Sequence, residues 1–100
     1  MNDRIKKLIP QIQEYMKTKP ILRAWLFGSY SRGEETPESD IDILVDYDES
    51  KGIVSLFKMG GMLMDLTDLT GVQVDLVERK GLKEFARPSV ERDKILIYER

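Results

Sequence analysis

The chain has no cysteine and no histidine. Without thiols there are no disulfides, no thiolate nucleophile and no zinc–thiolate cluster. Without imidazole there is neither a Ser-His-Asp triad nor a histidine general base, which leaves carboxylates, Lys, Tyr and bound metal as the available chemistry. Long apolar runs are missing too. The longest, such as Ala24 to Phe27 and Ile95 to Tyr98, fall far short of a membrane-spanning helix, which needs ~20 residues. The charged start, Met1 to Lys7, is not followed by the apolar stretch and small residues of a secretion signal. No membrane association and a cytoplasmic location are therefore expected. Neither sign of charge dominates: 16 basic and 18 acidic residues leave a formal net charge of −2. That does not suit a protein built to coat nucleic acid, and no direct nucleic-acid binding is expected. Lys6, Lys7, Lys17, Lys19 and Arg23 gather positive charge near the start, a spacing more often found on a solvated helix face than on a binding surface.

What is present is the balance of a folded protein. With 100 residues, 41% hydrophobic and 34% charged, the chain is sized for one domain, residues 1–100, around a shared core. Ile5, Leu8, Ile9, Ile12, Tyr15 and Met16 recur at helical steps behind Asn2 and Asp3, predicting an amphipathic helix that Pro10 should kink or divide. Lys19 and Pro20 stop it, and Ile21 to Phe27 reads as a buried strand ended by Gly28. Ser29 to Ser39 reads as a loop with a helical turn over Tyr30 to Arg32. Ile41 to Tyr47 alternates, with Ile41, Ile43, Val45 and Tyr47 on one face and Asp40, Asp42, Leu44 and Asp46 on the other.

Further along, Ile53 to Leu69 has helical spacing, closed by Gly71, with Gly60 and Gly61 weakening its middle so that it bends or packs unusually close to a neighbour. Val72 to Val77 is a third alternating strand, Pro88 opens a short helix to about Asp93, and Ile95 to Tyr98 is a closing strand. The order gives a mixed α/β (α+β) domain: a small sheet with helices packed on one face and the other face free to form a cleft.

Asp40 and Asp42, two apart on a strand, point to the same side. Neighbouring carboxylates resist joint ionisation unless a positive charge sits between them, and no basic residue lies within that strand. Asp75 occupies the polar face of another strand; if the two strands are neighbours, three carboxylates meet. Oxygen ligands without His or Cys favour Mg²⁺ or Mn²⁺, two ions of which serve phosphoryl displacement. Asp75 would then be placed to accept the proton of the attacking group. Gly28 and Ser29 open a loop whose amides suit triphosphate oxygens, with Arg32 adding charge and Ser39 a further nucleotide-binding candidate beside Asp40. Bland readings stand beside each of these. Asp40 and Asp42 would also suit an exposed strand guarding an edge, Ser29 a helix cap, Arg32 a solvated loop cation, and Trp25, Phe27, Phe57 and Met59 to Met64 a core or a partner surface.

Gly28-Ser29, ten intervening residues, Asp40-Ile41-Asp42 and a third Asp after a helix form a combined pattern, in the local text GSYSRGE, SDIDILVDY and QVDLV. It resembles the minimal nucleotidyltransferases (MNT-domain proteins) of the DNA polymerase β superfamily along nearly the whole chain. The resemblance implies a polymerase β-like fold, with Gly28 and Ser29 at the triphosphate of ATP, Asp40 and Asp42 on both Mg²⁺ ions, and Asp75 completing the triad. Small members of that family are antitoxins paired with a HEPN-domain ribonuclease toxin. They transfer AMP from ATP to a toxin tyrosine, so a HEPN toxin is the implied partner and acceptor. The competing expectation is an antitoxin that neutralises its partner by binding alone.

Overall fold

A computed structural model describes residues 2–100. The chain runs α1 (Asp3–Met16), β1 (Ile21–Phe27), α2 (Ser29–Arg32), β2 (Ile41–Tyr47), α3 (Leu56–Thr70), β3 (Val74–Glu78), a single 3-10 turn (Arg79–Gly81), α4 (Arg87–Asp93) and β4 (Ile95–Glu99). The four strands lie in the order β3-β2-β1-β4. β1 is antiparallel to both β2 and β4, whereas β2 and β3 are parallel, joined through α3. None of the described helices is long and apolar enough to cross a membrane.

Local chemistry sets the ends of these elements. Asn2 caps α1, its side-chain oxygen accepting from the Ile5 amide at 2.8 Å. Ser55 caps α3 in the same way, accepting from the Lys58 amide at 3.0 Å, and this is why α3 begins at Leu56 and leaves Ile53 outside it. Gly71 closes α3 in the left-handed conformation, φ 72°. β3 starts at Val74 rather than Val72 because the Val72 amide is taken by the Thr70 hydroxyl at 3.2 Å. Pro10 does not divide α1, which runs through it unbroken. The ring sits on the exposed side of the helix, where the carbonyl it leaves without an amide partner is open to water.

The sheet has two unlike faces. α1 and α3 cover one, burying Ile5, Ile12, Met16, Met62 and Leu66 against Ala24, Leu26, Ile41, Ile43, Val45 and Val74. An irregularity between Ile21 and Arg23 shifts the register of β1. Ile21 therefore joins this core while Trp25 faces the other way. The helices are not confined to one face as the sequence suggested. Val90 of α4 packs on Trp25 and Leu44 on the opposite side, with Phe27, Val77 and Leu82 around them. Asp46 ties this second layer down, accepting from Arg79 at 2.8 Å and Arg23 at 3.1 Å. These guanidinium bonds hold its carboxyl below the usual range. The layer is short, and it leaves part of that face uncovered beyond Leu44, toward Asp42.

Gly60 and Gly61 do not serve the close internal packing expected of them: a Cβ on either would meet nothing within 4 Å. Replacing Gly61 by Ala is therefore expected to stabilise the fold by about 0.5–1 kcal/mol, because it removes backbone entropy from the unfolded chain without a clash. Urea midpoints of the two proteins, measured dilute enough that association does not contribute, check this, and an unchanged or lower midpoint for Gly61→Ala contradicts it.

Candidate active site

Asp42 lies between two neighbours that define the site. Across the antiparallel ladder it faces Phe27, the last residue of β1, and across the parallel ladder it is in register with Asp75 of β3. The alternation of β2 sends Ile41, Ile43 and Val45 into the main core, so Asp42 emerges on the face shared with Leu44 and Trp25. The condition left open by the sequence, that the Asp42 and Asp75 strands be neighbours, is met. Asp40 precedes β2 and is exposed, Asp75 is exposed, and Asp42 is half-buried.

The turn after β1 is built against Asp42. Gly28 has φ 75° and ψ −156°, a region open in practice only to glycine. A Cβ on Gly28 would collide with Asp42 Oδ2 and lie 3.3 Å from Asp42 Cγ. Glycine is thus required both by backbone conformation and by the approach of the carboxylate. The Gly28 carbonyl accepts from the Ser31 hydroxyl at 2.8 Å and from the amides of Ser31 and Arg32 at 3.1 and 3.3 Å, which fixes the turn. Ser29 follows as the first residue of α2.

Asp42 feels the charge of both other carboxylates. Burial pushes the Asp42 carboxyl above its ordinary value, and the negative charges of Asp75 and then Asp40 push it further; Arg32 opposes them only in part. Among the described residues no group of three His, Cys, Asp or Glu side chains stands so that it could hold a metal ion. The donor set is nonetheless that of a hard divalent cation. It consists of carboxylate oxygens alone, with one member already disfavouring its negative charge for want of a counter-charge.

Two other sequence candidates are engaged locally. Arg32 donates to Asp93 Oδ2 at 3.1 Å and to Glu34 Oε2 at 3.2 Å, which ties α2 to the end of α4 and uses two of its five N–H donors. The Ser39 hydroxyl accepts from the Thr36 amide at 2.9 Å and so closes the turn leading into Asp40. Two hollows flank the carboxylates. One, of about 510 Å³, borders Asp40 and is lined by Arg4, Tyr30, Glu35, Ser39 and Gln73; Glu35 Oε1 is buried without a hydrogen-bond partner. The other, of about 340 Å³, borders Gly28 and Arg32 and is walled by Phe27, Ser89 and Val90. The α4 wall was missed in the sequence, where only Val90 behind Pro88 hinted at a packed turn.

Two substitutions probe this arrangement. Gly28→Ala is expected to cost at least about 1–3 kcal/mol through backbone strain alone. Gly33→Ala, at φ 72° with open space around it, should cost only about 1 kcal/mol; equal losses would contradict the close approach of Asp42. Because the folded-state pKa of Asp42 is raised, its ionised form counts against the fold, and stability falls as pH rises through that pKa. Asp42→Asn is therefore expected to raise the metal-free melting temperature at neutral pH and to abolish any increase caused by Mg²⁺. A lower melting temperature for this variant contradicts the repulsion described.

Comparison with known proteins shows the family and the fold. The pattern of the nucleotidyltransferase domain family matches residues 5–98. Protein adenylyltransferase MntA of Thermococcus cleftensis is 42% identical over 72 residues, covering 72% of this chain and 70% of its own. A solved structure provisionally assigned as a minimal nucleotidyltransferase is 30% identical, with a TM-score of 0.77 over 91% of this chain and 90% of its own. The fold is also shared with a chain in the complex of tri-AMPylated Shewanella oneidensis HEPN toxin with MNT antitoxin. There the TM-score is 0.70 at 18% identity, over 95% of this chain and 72% of that one. With a half-bare sheet face carrying Asp42 and Asp75 in register beside an obligatory glycine turn, and with the family pattern running from Ile5 to Tyr98, the chain belongs to the nucleotidyltransferase domain family.

Proposed function

We propose that this chain is a Mg²⁺-dependent protein adenylyltransferase that moves AMP from ATP to a tyrosine of a cognate HEPN toxin and so acts as its antitoxin. The observation that carries the reading is the in-register pairing of Asp42 with Asp75 beside Gly28. Two relatives supply the chemistry by likeness: one is named a protein adenylyltransferase, and one was solved with an AMPylated HEPN toxin.

The residues have separable roles. Asp40, Asp42 and Asp75 would hold divalent cations, which when bound supply charge neutralisation of the triphosphate and of the leaving pyrophosphate. The absence of a side chain at Gly28 brings the Asp42 carboxylate against the turn, and Ser29 adds a hydroxyl at the start of α2, where triphosphate oxygens would dock. The phenolic oxygen of the acceptor forms a bond to the α-phosphorus as the bond from that phosphorus to the β-bridging oxygen breaks. Pyrophosphate carries away the electron pair, and Asp75, exposed at the rim, takes the phenolic proton. Arg32, 3.1 Å from Asp93, would exchange that partner for a phosphate oxygen. A phosphodiester-linked AMP on the toxin then adds negative charge and bulk, which would repel an RNA substrate.

The test uses the chain with its toxin, α-labelled ATP and Mg²⁺. Label is expected on the toxin, prevented when a chelator is present from the start and reduced at least about 100-fold by Asp42→Asn or Asp75→Asn. If the Asp40→Asn, Asp42→Asn double variant still neutralises the toxin at ordinary expression, binding alone is sufficient and the catalytic reading fails.

A further inference from the structure

α3 carries two apolar stripes where a helix lying on a sheet needs only one. Met62, Leu66 and Thr70 point into the core, with Met59, Leu63 and Leu69 packed at its margin. The opposite side presents Phe57 and Met64, 93% and 69% exposed, with Gly60 and Gly61 between them in sequence. Leu56 and Ile53, 84% and 89% exposed, extend the patch toward and beyond the helix start. Each glycine weakens the helix by about 1 kcal/mol relative to Ala, yet nothing inside the fold lies within 4 Å of either absent Cβ. Bare backbone in the middle of an exposed apolar stripe allows a second helix to approach closely.

We infer that this face is the contact between two copies of the chain, their α3 helices packed antiparallel about a two-fold axis through the Gly60-Gly61 midpoint. The helix is self-complementary about that point. Residues seven apart lie nearly above one another. Leu56 and Leu63 therefore mark one flank, Phe57 and Met64 the centre, and Lys58 and Asp65 the other flank. Reversing one helix against the other brings Phe57 onto the second copy's Met64, a sulfur–aromatic contact. It also brings Leu56 beside the copy's Leu63 and Lys58 beside the copy's Asp65, so opposite charges meet twice and like charges do not.

The surface has a seat for this arrangement. A hollow of about 190 Å³, lined by Leu63, Met64, Thr67, Asp68 and Gln73, lies on the leucine flank at the level where the copy's Leu56 arrives. Asp65 is also held in place, since it accepts a hydrogen bond from the Tyr15 hydroxyl. A standard interface covers about 800 Å² per partner, and Leu56, Phe57 and Met64, 84%, 93% and 69% exposed, offer large apolar side chains toward it. α3 packs on the sheet face opposite Asp42 and Asp75, so pairing through it leaves both carboxylate clusters facing outward.

Sedimentation velocity of the full chain over a micromolar concentration series tests the proposal without nucleotide or metal, so its outcome is independent of the catalytic reading. A dimer is expected. Phe57→Asp, which alters a side chain that packs on nothing in the fold, should be monomeric with an unchanged circular dichroism spectrum. Lys58→Glu should raise the dimer dissociation constant about tenfold, and the double variant Lys58→Glu, Asp65→Lys should recover it. A chain that is monomeric throughout, or a dimer indifferent to Phe57→Asp, overturns the proposal. So does a monomeric chain whose Phe57→Asp variant instead loses a co-expressed protein partner, since the face then belongs to a different occupant.

Discussion

Two carboxylates directly opposite each other on adjacent parallel strands are the constraint around which this molecule is organised. Like charges at that spacing work against the fold, and here a third carboxylate stands two residues away. Arg32 is near enough to lower the Asp42 carboxyl somewhat, but its donors are bonded to Asp93 and Glu34. The arrangement makes physical sense if the missing counter-charge comes from outside the chain. Under the proposed function a divalent cation would supply it, bound together with the nucleotide.

The rest of the fold makes that cluster affordable. β2 serves two purposes through simple alternation: Ile41, Ile43 and Val45 anchor the strand in the main core while Asp42 and Asp46 face the other side. Asp46 has two guanidinium partners and holds the second layer; Asp42 has none among its hydrogen bonds. β1 lies between β2 and β4, and its final residue, Phe27, delivers Gly28 beside Asp42. The short second layer, from Leu82 to Val90, shields Trp25 and Leu44 but stops before the carboxylates, of which Asp40 and Asp75 are exposed.

Much of this was legible because it follows from spacing. The two-residue step from Asp40 to Asp42, the alternation of Ile41 to Tyr47 and the glycine that ends β1 all carry their geometry in the sequence. Features that depend on tertiary partners were not. No residue pattern says that β2 and β3 are neighbours, nor that Arg32 would find Asp93 across the fold. α4 has seven residues and one buried side chain, too few for a periodic signal, so its place on the second face was missed. The start of α3 was misplaced because Ile53 and Leu56 fit a helical rhythm; Ser55 decides the boundary, and both apolar residues are exposed. Apolar spacing in that segment marks two faces of one helix, and sequence alone does not separate a face that meets the core from one that does not.

The claim that the acidic cluster exists to hold divalent cations with a nucleotide is tested most directly by counting ions. Electron paramagnetic resonance titration of Mn²⁺ into the chain with a non-hydrolysable ATP analogue should show two bound ions per chain, with binding weakened in Asp75→Asn and lost in Asp42→Asn. Mn²⁺ binding that is absent, or the same in all three proteins, would contradict the account.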